Sequence, residues 1–144
     1  MPRLNTYDAE VVHQTVGVSP DVAYEFARRM ENLPRWASGL AAGISEENGQ
    51  WFADSPMGRV KVKMAPMNPF RVLDHEVTLP NGDSVFNAFR ITPAGQGSLL
   101  TFAVLRLPGA TAEMHRQDVA HVAKDLQTLK QLLEASPSTN SPDV

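Results

Sequence analysis

Four polar residues in the second half of the chain have types and spacing that suit acid–base chemistry: Asp74, Glu76, Asn87 and Arg106. Carboxylates two positions apart share one face of an extended strand. A buried carboxyl in such a cluster has a raised pKa and serves as an acid or base for enolate or dehydration chemistry. Arg106 would neutralise a neighbouring carboxylate, and Asn87 would orient a ligand oxygen. The plainer alternative is ordinary ion pairing at a sheet edge or with Arg59, Lys61 and Lys63. His115 opens an apolar helical stripe and titrates near neutrality, which suits proton transfer; the alternative is a polar residue near a helix start. His13 and His121 have no evident partners, and His75 is expected to point away from the acids. No HExxH or comparable ligand spacing occurs, so neither a metal nor a cofactor is expected. Glycine-rich phosphate loops, a nucleophile elbow and a Ser/His/Asp ordering are not visible, and no catalytic residue is assigned. Trp36 and Trp51 can stack on a planar ligand or simply fill a core.

The chain that must position these groups has 144 residues, 42% hydrophobic and 20% charged, which fits one domain able to bury a core without a disulfide or structural metal. The absence of Cys removes thiolate metal sites and cysteine nucleophiles. Thirteen Lys+Arg against 16 Asp+Glu give a net charge of −3, so a chain-wide basic footprint for nucleic acid is absent and no nucleic acid partner is expected. No apolar run approaches the ~20 residues of a membrane span, and the first residues lack the basic-then-apolar layout of a secretory signal. A cytoplasmic location is the expectation.

Hydrophobic period divides the chain into elements. Val11, Val12, Val16 and Val18 lie in a β-branched run that predicts a strand over 6–18. Ser19-Pro20-Asp21 then reads as N-cap, first helical position and dipole-matched acid of a short helix ending near Asn32. Pro34 opens a second helical turn carrying Trp36. From Leu40 to Leu107 the period is two, broken by Gly, Pro, Asn and Asp clusters, which predicts an antiparallel meander of about six strands. Ala112, His115, Val119, Val122, Leu126, Leu129 and Leu133 then recur at three- and four-residue steps, predicting a helix of about 24 residues, ~36 Å long. That helix must lie on the concave face of the sheet. One domain over 1–135 is expected, with a disordered tail over 136–144.

Hairpin arithmetic sorts the sheet residues by face. If Asn81-Gly82 is a two-residue type I′ loop, Glu76 opposes Asn87 and Asp74 opposes Phe89. If residues 94–97 form the next loop, Phe89 opposes Phe102, Asn87 opposes Val104 and Val85 opposes Arg106. One face then holds Val72, Asp74, Glu76, Thr78, Val85, Asn87, Phe89, Ile91, Leu100, Phe102, Val104 and Arg106. The other holds Leu73, His75, Val77, Leu79, Phe86, Ala88, Arg90, Thr101, Ala103, Leu105 and Leu107. Hydrophobicity alone slightly favours the second face as the inner one, because a simple core excludes Asp and Glu.

The segments Val16-Gly-Val-Ser-Pro-Asp-Val-Ala-Tyr-Glu-Phe26, Asn32-Leu-Pro-Arg-Trp36, Ile91-Thr-Pro-Ala-Gly-Gln-Gly-Ser98 and Asp125-Leu-Gln-Thr-Leu-Lys-Gln-Leu-Leu-Glu134, in this order of elements, resemble the SRPBCC superfamily. That superfamily includes START lipid-binding domains, the birch-pollen-allergen family and polyketide cyclase/dehydrase-like proteins. The resemblance implies an α+β helix-grip fold, strand-helix-helix then a six-stranded meander wrapped around the long C-terminal helix, with a ligand cavity between sheet and helix. It further implies that Ser98 and every second residue after it face that cavity, which selects the first face. The expected cavity residues are then Asp74, Glu76, Asn87, Phe89, Phe102, Val104 and Arg106 from the sheet, with His115, Val119 and Val122 from the helix. Val77, Leu79, Phe86, Leu105 and Leu107 would form an apolar outer patch, from which a homodimer is expected. Three functions follow from the resemblance: binding of a polyketide-, lipid- or isoprenoid-like small molecule, cyclase/dehydrase-type catalysis through the cavity acids and Arg106, or protein interaction through the outer face.

Overall fold

The β-branched run near the N-terminus forms β1 (Ala9–Val16) in a computed structural model that describes residues 2–135. The tail expected at 136–144 lies outside the described residues. Ser19 caps α1 (Pro20–Ala27), its Oγ accepting the Val22 amide at 3.3 Å, and Pro20 occupies a first-turn position that needs no N–H. The α-helix stops earlier than its apolar spacing suggests. Met30–Asn32 form a 3₁₀ turn, and Asn32 Nδ2 donates to the Phe26 carbonyl at 3.0 Å, satisfying one of the end carbonyls of α1. Then α2 (Leu33–Trp36) carries Pro34 in its first turn, and a second 3₁₀ turn (Ser38–Leu40) leads into the sheet.

The meander has the six strands expected: β2 (Ile44–Glu47), β3 (Gln50–Ser55), β4 (Gly58–Met64), β5 (His75–Thr78), β6 (Ser84–Ala94) and β7 (Gly97–Leu105). With β1 they form one antiparallel seven-stranded sheet in the order β1-β7-β6-β5-β4-β3-β2. Pairing of β1 with β7 brings Val16 opposite Ser98, where a Cβ on Gly97 would meet the Val16 carbonyl oxygen at 2.6 Å. Only glycine allows that approach. The last helix, α3 (Ala112–Ala135), has the expected 24 residues and packs against β1, β7, α1 and α2. Leu126, Leu129 and Leu133 are fully buried there, each contributing about 1.5–3 kcal/mol of apolar burial. The result is an α+β helix-grip fold. No helix among the described residues is long and apolar enough to cross a membrane.

Two turns decide the faces. Asn48 and Gly49 both have positive φ, 54° and 79°, with Glu47 paired to Gln50, so the two-residue primed turn sits between β2 and β3. The loop at Asn81-Gly82 is different: Gly82 has φ 94° but Asn81 is not in the positive region. Leu79 N donates to Asp83 O at 2.8 Å and Gly82 N to Leu79 O at 2.9 Å, which makes a three-residue loop, Pro80-Asn81-Gly82. The two-residue loop would put Pro80 at a ladder position that donates an N–H, and proline has none. The pairing is therefore His75 with Asn87 and Val77 with Val85, one residue from the expected register. Such a slip exchanges the faces of every β5 side chain. Between β6 and β7 the expected register holds, with Phe89 opposite Phe102 and Ile91 opposite Leu100.

Candidate functional site

The concave face of the sheet is assembled from cross-strand neighbours. Trp51 pairs with Val62, Val62 with Val77 and Val77 with Val85, giving one apolar line across β3 to β6. A second line runs Met64, His75, Asn87 across β4 to β6. Near α1, α2 and the C-terminal half of α3 this face is closed, with Phe89, Ile91 and Leu100 at 0–1% exposure. Farther along, Trp51, Met64, His75, Val77, Leu79, Val85 and Asn87 are only half-buried, as are His115, Val119 and Val122 on the N-terminal half of α3. The helix lies over the β1–β7 side and leaves β3 to β5 more lightly covered.

Within this face lies a row of rings. Trp36 packs on Phe89 at 5.7 Å between centroids, Phe89 on Phe102 at 5.5 Å, and Phe102 meets the His75 ring edge-on at 5.8 Å. At the head of the row, Trp36 Nε1 is buried without a hydrogen-bond partner, the one such side-chain atom among the described residues. At the other end, His75 Nδ1 lies 2.9 Å from the Leu73 carbonyl and Nε2 lies 3.3 Å from Asn87 Nδ2. Desolvation holds the imidazole pKa below its ordinary value, against the opposing pull of the Leu73 hydrogen bond and the Asp74 charge.

Where β3 begins and β4 ends, a crevice of about 310 Å³ opens, with Met30, Trp51, Val62 and Met64 on its apolar side and Gln50, Lys61 and Lys63 on its polar side. Trp51, Val62 and Met64 are also the first members of the two cross-strand lines, so the crevice leads onto the concave face. A larger depression of about 490 Å³ lies elsewhere, between α1 and residues 67–71. It holds none of the residues of the concave face.

The register corrects the polar cluster expected from the sequence. Asp74 and Glu76 belong to the outer face. Asp74 Oδ2 accepts from Arg90 Nη2 at 2.8 Å, and exposed Glu76 stands opposite Lys63 in the ladder. Arg106 meets no carboxylate among the described residues; its Nε donates to the Ala110 carbonyl at 2.9 Å. His115 Nε2 lies 3.0 Å from the Val104 carbonyl, so that nitrogen donates to backbone and ties α3 to β7. Phe89, Phe102 and Val104 do face inward, buried, and Asn87 remains on the concave face but beside His75 instead of Glu76. His75, Val77 and Leu79, expected outside, face inward. Val77 and Leu79 thus leave the outer apolar set, while Phe86, 51% exposed, stays on the outer surface.

Sequence reading also missed a cluster at the junction of α2 and α3. Ser38 Oγ is 2.8 Å from both Asp125 Oδ1 and His121 Nε2, and Ser38 N donates to Asp125 Oδ1 at 3.2 Å. A nucleophilic relay needs the acid on the far nitrogen of the ring. Here acid and imidazole both meet the hydroxyl directly, so the hydroxyl donates to Asp125, accepts from His121 and clasps the 3₁₀ turn to α3. Residues 83 and 87 positions apart carry this contact, and no local pattern marks it.

No family model matches the chain, and no curated protein matches it. Solved structures do. DynU16, from the dynemicin biosynthetic locus, aligns with a TM-score of 0.67 at 18% identity over 89% of this chain and 48% of that one. Ara h 8.0201 gives 0.64 at 14% identity, covering 91% of this chain and 100% of that one. A START superfamily protein from Mycobacterium smegmatis gives 0.62 at 18% identity, covering 89% and 99%. At these identities the likeness is one of fold, and it agrees with the β1-β7-β6-β5-β4-β3-β2 order and the gripped α3 in giving this chain a helix-grip fold.

Proposed function

We propose that the protein binds a hydrophobic or aromatic small molecule on the concave face of β3 to β6, entering through the crevice beside Trp51 and Met64. The observation that carries this reading is the half-covered apolar face itself. Val77, Leu79, Val85, Trp51 and Met64 point to the core side of the sheet yet stay partly open, while the same face is closed beneath Leu126 and Leu129. Lining of this kind, apolar with a few fixed polar groups, is what small-molecule sites present, and about 310 Å³ lies at the lower end of their range. The names of the structural neighbours, a START superfamily protein among them, agree with such a role.

Native mass spectrometry and thermal shift with fused-ring aromatics, fatty acids and isoprenoids test the reading. Retention of one class with a raised melting temperature is the expected result, and its loss in Val77→Asp places the ligand on this face. Indifference to all three classes at concentrations well above micromolar would sink it.

A further inference from the structure

We propose that His75 sets the hydrogen-bonding polarity of the concave face through Asn87, so that the site favours aromatic ligands carrying a hydroxyl or N–H donor over otherwise identical ligands without one. The inference builds on the concave face being the ligand bed. It starts from the Leu73 carbonyl, which accepts from His75 Nδ1 at 2.9 Å and so fixes which ring nitrogen carries the proton. In the neutral ring Nε2 then has only a lone pair to offer. Its partner at 3.3 Å must be a donor, which turns the Asn87 carboxamide with Nδ2 toward the ring.

The consequence is a fixed acceptor. With its nitrogen committed to His75, Asn87 is left with Oδ1, which has no protein partner among the described residues. Both residues are half-buried on the line that begins at Met64 beside the crevice, and Phe102 lies against the His75 ring. A ligand ring lying along Phe102 would bring its substituents to Asn87. A donor there pairs with Oδ1; a methyl ether shields the same oxygen from water and leaves it unpaired. His75 is thus a positioning residue and Asn87 the contact.

The test is a matched pair of probes, 2-naphthol and 2-methoxynaphthalene, titrated against the full chain by calorimetry at about pH 8, where the imidazole is neutral. The protein is expected to favour the naphthol by roughly tenfold, the effect of one buried hydrogen bond. N87L should bring the ratio to about one. H75F should also lower it toward one with Asn87 intact, an effect that a merely structural His75 would not have. If H75F does not fold, H75Q serves, because its amide either donates or accepts and no longer fixes Asn87. E76Q, on the outer face, should keep the full ratio. Equal binding of both probes by the wild type, or a full ratio in H75F and H75Q, overturns the inference while the ligand bed stands. Saturable binding of neither probe overturns the inference as well, and the ligand bed is then decided by the fatty acids and isoprenoids.

Discussion

Asp74 accepts three hydrogen bonds from neighbours on β6: Arg90 Nη2 at 2.8 Å on Oδ2, and the Phe89 amide at 2.9 Å with Arg90 Nε at 3.3 Å on Oδ1. Its side chain is 13% exposed and that of Arg90 54%, so the Arg90 pair and the Phe89 bond differ in worth. The pair with Arg90 is screened and contributes under about 1 kcal/mol. The Phe89 bond is shielded, and losing it leaves an amide unpaired at the edge of the core. D74A is expected to destabilise by about 1–3 kcal/mol in urea titrations, R90A by less than about 1. Equal losses in the two variants would show that the ion pair, not the amide bond, holds this corner.

The protonation states around the same strand give stability a pH dependence with two separate windows. Burial pushes the Asp74 carboxyl up, but the Arg90 and Phe89 hydrogen bonds outweigh it and leave the pKa below its ordinary value. The Lys130 ammonium and the Gly17 amide do the same for Glu134. Both carboxyls take protons more readily when unfolded. Their contribution is present above the ordinary carboxylate range and is lost as pH falls through the lowered folded values. His75 works in the opposite chemical sense but the same pH direction. Desolvation keeps it neutral when folded, so the unfolded chain protonates first, and stability drops as pH falls below about 6.5. Urea midpoints across pH should show an upper step near pH 6 that H75F removes and a lower step in the carboxylate range that it leaves. An upper step unchanged in H75F would assign it to another group.

Local chemistry made much of this architecture readable. Ser19 and Pro20 mark a helix start by themselves, and the spacing of Leu126, Leu129 and Leu133 gives the buried stripe of α3 without tertiary information. The candidate site was less legible because one strand register decides it. The superfamily resemblance gives β7 its inward face correctly at Leu100, Phe102 and Val104, while plain hydrophobicity gives the inward face correctly at Leu73, just before β5, and at Val77 within it. Only the turn between β5 and β6 reconciles the two, and its signal was present in Pro80, which cannot supply a ladder N–H. His75 beside Asn87 follows from that register. The clasp of Ser38, His121 and Asp125 depends on where α3 comes to lie, which no local pattern encodes.

The reading of that turn is open to a direct test. Deleting Pro80 leaves Leu79 paired with Asp83 across Asn81-Gly82, which is then a two-residue loop of the favoured primed type. The fold and the His75–Asn87 pairing should survive with a loss below about 1 kcal/mol. Gly82→Ala in the intact loop should cost about 1 kcal/mol, because φ is 94° there. Backbone amide exchange and the His75 chemical shift report both. A deletion that unfolds the β5–β6 hairpin would show that Pro80 sets the register by packing against Gly58 and not through the missing N–H.

Ser98 is the buried polar residue of the closed end, 1% exposed, and its Oγ donates to the Val18 carbonyl at 2.7 Å. The bond joins the start of β7 to the chain just before Ser19, where the direction of α1 is set. S98A removes the donor and leaves the Val18 oxygen unpaired in a dry site, at an expected cost of about 1–3 kcal/mol. S98V should cost more, since it adds a methyl group to a packed site without restoring the bond. S98T keeps a hydroxyl and should recover part of the loss. Thermal melts of the three variants give the order expected: S98T most stable, then S98A, then S98V. If S98V matched S98T, shape and not the hydrogen bond would be holding α1 to β7.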